Sequence, residues 1–379
     1  MDKWKMVRLG DVCNILDNLR VPITASERKP GPYPYYGANG IQDYIDDYIF
    51  DDELVLLAED GGNFGSKEKP IAYRVSGKCW VNNHAHVLKP KDMLNVDYLC
   101  YSIMFYDVTP LISGTTRAKL NQAAVRKMSI PLPPLDIQQK IADILDKSNA
   151  TMEKRRAQID KLDLLEKAQF IEMFGIPGSD IKSWGLRELG KCCELNPNKG
   201  LDERLKLGLK ISFIPMSAVS EKGAIDPSQI KDYEEVKTGF TYFAENDVLF
   251  AKITPCMENG KGAIARDLVN NVGFGSTEFH VLRPIHKVSS PYWIYTVTSF
   301  KSFRLKAAAN MSGSAGQRRV TASYLNSFKI SLPPIDLQNQ FASFVQQVEA
   351  QKSFLQASLD KLELNHKSLM QKAFRGELF

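Results

Sequence analysis

Downstream of Pro133, apolar residues recur at three- and four-residue steps: Ile137, Ile141, Ile144, Leu145, Met152, Ile159, Leu162 and Leu165, with Lys, Asp, Glu and Gln between them. The same spacing returns after Pro333 as Leu337, Phe341, Phe344, Val345, Val348, Leu355, Leu359 and Leu362. One apolar stripe at helical period predicts a long helix in each of the segments 135–175 and 335–379. Pro133-Pro134 and Pro333-Pro334 cannot continue a helix from upstream. Asp136 followed by Gln139 reads as a capping box, and Asp336 repeats the start. Gly175, Pro177 and Gly376 supply stops. Forty residues at about 1.5 Å each make a rod of roughly 60 Å. A stripe that long needs cover, and the two rods cover each other most economically as an antiparallel coiled coil. The seam residues are then Ile141, Leu145, Ile159 and Leu162 on one rod and Phe341, Val345, Leu359 and Leu362 on the other. Polar interruptions at Arg155, Glu166 and Lys352 favour the alternative, two helices each packed on its own domain.

Elsewhere the pattern changes to short apolar runs between Gly, Asn, Asp and Pro clusters, the signature of strands between turns. Leu54–Leu57, Cys79–Val81, His86–Leu88, Asp247–Phe250, Gly262–Ala265 and Phe279–Leu282 are such runs, while 97–106 and 291–309 read as helical. The pattern also repeats. Trp4 to Gly10 returns as Trp184 to Gly190, His86-Val-Leu-Lys-Pro90 as His280-Val-Leu-Arg-Pro284, and Ser129 to Asp136 as Lys329 to Asp336, with offsets of 180, 194 and 200 residues. The expected fold is α+β: two tandem mixed α/β domains, 1–134 and 176–334, separated by the long helices 135–175 and 335–379 and related by pseudo-two-fold symmetry. The paired rods then act as a ruler between the globular parts.

A chain of 379 residues with 44% hydrophobic residues can bury two ordinary cores. Lysine and arginine exceed aspartate and glutamate by 49 to 44, a net charge of +5, which permits nucleic-acid binding without requiring it. Six cysteines without a C-x-x-C pair read as reduced, buried thiols. The charged first twenty residues and the lack of a long apolar stretch place the protein in the cytoplasm, with no membrane partner.

Catalytic signatures are missing. Gly260-Lys-Gly262 and Gly65-Ser-Lys67 lack the spacing of a phosphate-cradling loop, so ATP is not expected on this chain. Neither Pro-Pro pair lies in the Asp/Asn-Pro-Pro-aromatic setting that adenine methyl transfer uses. His84 and His86 alternate along one strand as a possible metal pair, but no third ligand follows at the right spacing, and no metal is expected. The acidic pairs Glu59-Asp60 and Asp51-Asp52 read as turn residues, and no catalytic residue is assigned.

The tandem Trp-x-x-x-x-Leu-Gly openings, the Pro-Leu-Pro-Pro-Leu and Ser-Leu-Pro-Pro-Ile stops and the two equal long helices together resemble the specificity subunits of type I restriction-modification enzymes. Tyr33-Pro-Tyr-Tyr-Gly-Ala-Asn-Gly40, Asn82-Asn-His-Ala-His-Val-Leu88, Ser113-Gly-Thr-Thr-Arg117 and Ser312-Gly-Ser-Ala-Gly316 are similar to that family as well. The chain departs from it at Ile137-Gln138 and Leu337-Gln338, where the family often carries Glu-Gln. The resemblance implies that each globular part is a target recognition domain reading one half of a bipartite, asymmetric site in double-stranded DNA. It implies that the helices space the half-sites and dock two copies of a methyltransferase subunit bringing S-adenosylmethionine. A restriction and translocase subunit would use ATP and Mg, and the chain itself would hold no cofactor.

Base reading needs side chains at groove edges and basic groups on phosphates. The candidate turns are Gly61-Gly62-Asn63 and Glu258-Asn259-Gly260-Lys261, with Lys67, Lys69, Arg117, Lys119, Lys252, Arg318 and Arg319 as basic contacts and Tyr35, Tyr36 and Asn39 beside them. At each of these the competing reading is an ordinary solvated loop residue. Competing readings of the whole chain are a type IIB specificity subunit, a coiled-coil scaffold that leaves DNA alone, and a free-standing enzyme.

Overall fold

The structure, a computed structural model, describes residues 4–114, 118–180, 182–314 and 316–379. It divides into two units, Met1–Arg156 with Ala357–Phe379, and Ala157–Gln356.

The first unit is built on a six-stranded sheet in the order Cys13–Ile15, Ala85–Pro90, Phe50–Ala58, Ala72–Val81, Pro30–Gly37 and Gly40–Ile45. Phe50–Ala58 pairs antiparallel with both neighbours. Its run of buried residues reflects cover on both faces. Val55 and Leu57 enter a cluster with Tyr98, Leu99, Ile141 and Leu145, whereas Leu54 and Leu56 join Val75, Val81 and Val87 on the other side. Pro30–Gly37 joins in parallel through Tyr35 opposite Trp80. A ribbon of Lys5–Arg8 against Ser129–Leu132 ties the start of the unit to the segment that enters the first rod.

In the second unit, strands Cys193–Leu195, Phe279–Pro284, Val248–Ala251 and Gly262–Ile264 lie in the same order as their first-unit counterparts. A separate sheet holds Ile230–Asp232, Lys210–Ile214, Val272–Gly275 and Thr241–Ala244. The strand that runs unbroken as Ala72–Val81 in the first unit is interrupted here between Gly262–Ile264 and Val272–Gly275. Asn270 (φ 54°) and Asn271 (φ 57°) take left-handed backbone in that gap, a conformation that asparagine tolerates and a ladder cannot continue through. The ribbon of Leu186–Glu188 against Lys329–Ser331 repeats that of the first unit. Each of the six expected strand segments lies on a strand apart from the end residues Asp247 and Ala265, and the expected helices are Val96–Ile103, Pro291–Ser299 and Lys301–Ala309.

The two rods are continuous helices, Leu135–Phe174 and Ile335–Arg375, and each stops at a left-handed glycine, Gly175 (φ 79°) and Gly376 (φ 74°). Their starts differ from the expected capping box. The first helix has already begun at Leu135, so Asp136 lies inside its first turn, where its carboxylate meets Lys140 at 3.3 Å. Gln139 accepts from Asn95 Nδ2 and donates to Asp143, both at 2.8 Å. The anchor is the residue between them, the fully buried Gln138. Its Oε1 accepts from the Asn95 amide at 2.8 Å, and its Nε2 donates to the carbonyls of Met93 (3.0 Å) and Pro133 (2.8 Å). Gln338 repeats these three bonds with the Ser290 amide and the carbonyls of Val288 and Pro333.

Within each unit the rods run antiparallel. In the first, Ser148 Oγ meets His366 Nδ1 at 3.0 Å and Arg156 meets Glu363 at 2.6 Å, with Ala373 in the cluster of Ile141 and Leu145. In the second, Lys352 is paired with Asp163, and the ring of Phe341 stands edge-on to Phe170 at 5.3 Å and Phe174 at 5.5 Å. Of the expected seam, Ile141, Leu145, Phe341, Val345 and Leu359 are buried, while Ile159, Leu162 and Leu362 are half-buried. Leu165 leaves the stripe and is exposed, as are Leu164 (66%), Phe354 (73%) and Leu364 (70%). Among the described residues no helix is long and apolar enough to cross a membrane.

Candidate nucleic-acid interface

At the centre of each unit a buried histidine clamps a loop to the sheet. His86 Nε2 lies 2.7 Å from the Leu120 carbonyl and its Nδ1 2.6 Å from Asp17 Oδ2. Both of its ring nitrogens face acceptor atoms. His280 places Nε2 2.8 Å from the Val320 carbonyl, but its Nδ1 faces Asn196 Nδ2 at 3.1 Å. An amide that donates there suits a neutral ring. The surrounding backbone is the same in both units. Leu120 N donates to Glu59 O (2.8 Å) and Glu59 N to His84 O (2.9 Å), while Val320 N donates to Lys252 O and Lys252 N to Glu278 O, both at 2.9 Å. Glu59 and Lys252 therefore hold one place in the repeat, His84 and Glu278 a second, and Lys119 and Arg319 a third.

The charges at these places differ. In the first unit Glu59 takes Arg20 at 2.7 Å and Lys119 at 2.8 Å, and His84 pairs with Asp60 at 2.7 Å. Burial pushes the Asp17 carboxyl up, but the hydrogen bond and charge of His86, the Val87 amide and Arg20 outweigh it, and the net shift is downward. Glu59 is likewise lowered, burial being overcome by Lys119 and Arg20. Asp17, Glu59 and His86 bring their ligand atoms within 4.8 Å of one another, as a metal site would. Arg20 and Lys119 already supply the countercharge, however, and His84, expected on the same face as His86, turns to Asp60 instead. In the second unit the place of Glu59 is taken by a lysine, and Arg319 grips Glu278 with two nitrogens at 2.8 and 2.9 Å. That grip is the main cause of a lowered Glu278 pKa, and burial, with Lys252 adding to it, lowers that of His280.

The sequence candidates gather into one cluster per unit. In the first, Asn39 Nδ2 donates to Gly61 O at 2.9 Å, and Asn63 Nδ2 reaches Asn39 Oδ1 at 3.2 Å and Pro70 O at 3.3 Å, so both asparagines brace the loop. Gly62 packs so tightly on Ala58 that a Cβ would lie 2.4 Å from its methyl group. Lys67 and Lys69 stand exposed on this loop, and Lys119 borders it with its side chain 52% exposed. Tyr35 is corrected to a core residue. It is 1% exposed, its hydroxyl accepts from the Ile23 amide at 3.1 Å, and Arg28 covers its ring at 4.2 Å. Tyr36 is half-buried against Tyr73, and Arg117 lies outside the described residues.

In the second unit Asn259 is exposed, Lys252 is half-buried, and Lys261 Nζ is committed to the Met216 carbonyl at 3.0 Å. Arg318 reaches Glu258 at 3.3 Å. Sequence reasoning missed what holds this loop. Arg304 is 5% exposed and donates to the carbonyls of Thr298 (2.7 Å), Met257 (2.9 Å), Gly260 (3.2 Å) and Lys261 (3.2 Å). Burial lowers its pKa to about 10, so the guanidinium stays charged at neutral pH. No local pattern marks it, since the loop carbonyls it holds are more than forty residues away in the chain.

Residues 1–162 and 181–364 match the family model of the type I restriction modification DNA specificity domain. The specificity subunit of the type I restriction enzyme EcoAI of Escherichia coli is 36% identical over 194 residues, which are 50% of this chain and 32% of that subunit. That of EcoEI, also from E. coli, is 32% identical over 223 residues, 58% of this chain and 36% of the subunit. The chain thus spans about a third of the length of these curated relatives. Among solved structures, the S subunit of a type I restriction-modification system from M. genitalium shares the fold, with a TM-score of 0.57 over 98% of this chain and 96% of that one at 13% identity.

Proposed function

This chain belongs to the type I restriction modification DNA specificity family, and from that premise we propose that it is the subunit that selects a DNA sequence for partner subunits to act on. Each unit reads one half of a bipartite, asymmetric duplex site, from recognition domains spanning 1–134 and 176–334. The rods 135–175 and 335–379 set the spacing of the half-sites and dock two methyltransferase subunits, which methylate adenine with S-adenosylmethionine. A restriction subunit using ATP and Mg cuts DNA, and this chain contributes recognition but no chemistry.

One observation carries the reading: two copies of the same histidine-clamped frame present different groups at matched places, Glu59 against Lys252, His84 against Glu278 and Lys119 against Arg319. A frame conserved for folding and varied at its rim is what two unlike half-sites require. Lys67, Lys69, Lys119, Lys252, Arg318 and Arg319 are the phosphate or base contacts of this proposal, with Asn39, Gly62, Asn63, Asn259 and Lys261 shaping the loops that carry them. The exposed Leu164, Phe354 and Leu364 support partner docking on the rods.

The test is methylome sequencing of a host expressing this chain with its neighbouring methyltransferase, beside a host lacking the chain. Adenine methylation at a split, asymmetric motif that depends on the chain is the expected result. A soluble complex with no chain-dependent motif refutes the proposal and favours a scaffold that does not touch DNA.

A further inference from the structure

The second unit holds a partly open cavity of about 400 Å³ lined by Asp163, Glu166, Lys167, Tyr295, Glu349 and Lys352, with the turn Glu221–Ile225 along one wall. The matching hydroxyl of the first unit is satisfied. There Tyr101, the repeat partner of Tyr295, donates to Asp146 Oδ1 at 2.6 Å and accepts from Asn149 Nδ2 at 2.8 Å. At the matching places the second rod carries Gln346 and Glu349, and Glu349 is drawn away to Arg266 at 2.8 Å. The Tyr295 hydroxyl, on a partly buried side chain, makes no hydrogen bond among the described residues, and burial lifts its pKa to about 12, the charge of Glu166 adding to the effect. Gly223 makes room for that hydroxyl, because a Cβ there would lie 2.2 Å from its oxygen.

Glu166 is the second unsatisfied group. It has neither a hydrogen bond nor an ion pair among the described residues, and burial, with Glu349 and Asp163 adding to it, raises its pKa. Lys352 opposes that shift, but its ammonium is bonded to Asp163, and Lys222 stands 3.8 Å from the same Asp163. A half-buried carboxyl, near Lys352 and Lys167 but ion-paired with neither, faces an unpartnered hydroxyl across space large enough for a small ligand.

We propose that this chamber binds an alkylammonium group, with the Glu166 carboxylate as its counter-ion and the Tyr295 hydroxyl as its second acceptor. An ammonium brings three donors and one positive charge, which is what the two groups lack. A neutral alcohol leaves Glu166 uncompensated, and an anion is repelled by it. The ammonium comes from a free aliphatic diamine or from a lysine of a partner subunit; only the second source rests on the proposed assembly.

The test is calorimetric titration of the full chain with 1,4-diaminobutane, with 1,4-butanediol as the uncharged control. Saturable binding of one diamine and none of the diol is expected. Glu166→Gln weakens it about tenfold or more and Tyr295→Phe about threefold, while Tyr101→Phe in the first unit leaves it unchanged. Displacement of the diamine on adding the methyltransferase subunit assigns the site to a partner lysine, and retention assigns it to a free amine. Absent uptake of the diamine, or uptake undiminished in a Glu166→Gln chain whose circular dichroism is native, overturns the proposal.

Discussion

The exchange of Asp17 for Asn196 beside the clamping histidine has a consequence in pH. His280 is held below its ordinary value of 6.5. The unfolded chain therefore takes up a proton as pH falls through about 6.5 while the folded chain resists, so His280 contributes stability above that pH and loses it below. Asp17 and Glu59 are held below their ordinary values of 3.8 and 4.5, so their contribution persists to lower pH and is lost only as pH falls through the acid range. Amide exchange corrected for intrinsic rate should show protection falling at Val320 between pH 7 and 5 while Leu120 holds. Asn196→Asp should raise the His280 titration seen by NMR and restore Val320, and equal behaviour of the two amides in the unaltered chain would falsify this account. Arg319 makes a second residue-scale case: in the proposed interface, Glu278 competes with DNA for the guanidinium that it grips here. Ala at both Arg318 and Arg319 should weaken binding to all duplexes and lower the salt slope by about two, whereas Glu278→Gln should tighten binding, both measurable by filter binding across salt concentrations. Unchanged affinity in both variants removes this pair from the interface. Burial decided Tyr35, whose aromatic run looked suited to stacking, because a strand sequence does not reveal which face a neighbouring loop will cover.

At the scale of elements, much of the fold was legible because it is locally encoded. The helix stops at Gly175 and Gly376, the strand runs and the antiparallel stripe all follow from spacing and glycine conformation. The rods begin at 135 and 335 as expected but their anchor was misread, since whether Asp136 or Gln138 holds the helix start depends on backbone groups at Met93 and Asn95 that come together only on folding. Gln138→Leu and Gln338→Leu each strand an amide and two carbonyls, and each should cost about 1–3 kcal/mol in denaturant titration. A loss near zero would show that water replaces the side chain. Leu164→Asp and Phe354→Asp alter exposed positions, so they should leave the melting temperature within a few degrees while reducing co-purification with the methyltransferase subunit. Partner recovery equal to that of the unaltered chain would place docking elsewhere. Arg304 was invisible for the same reason as Gln138: its partners lie far away in sequence, and its own neighbourhood reads as an ordinary helix.

For the molecule as a whole, the repeat was the most informative feature of the sequence, and it exposed the architecture because two copies of one pattern constrain each other. It could not expose the interface, because the places that matched in space, such as Glu59 and Lys252, are those where the copies no longer match in chemistry. Replacing residues 176–334 with the corresponding segment of a relative should change one half of the methylated motif and leave the other intact. Changes in both halves, read by methylome sequencing, would show that the units do not read independently.

The first unit draws Ala357–Phe379 from beyond the second in sequence, and Ala373 and Phe374 pack against its core with the Phe374 ring 5.5 Å from Tyr98. On the ribosome that segment emerges only after the whole of Ala157–Gln356. The unit translated first must wait, its apolar floor open, until all of Ala157–Gln356 has been made. Domains of a growing chain usually fold in the order of synthesis, but here the first unit completes its core only after the second has been made, and a premature stop within Ala357–Phe379 leaves the earlier unit unfinished.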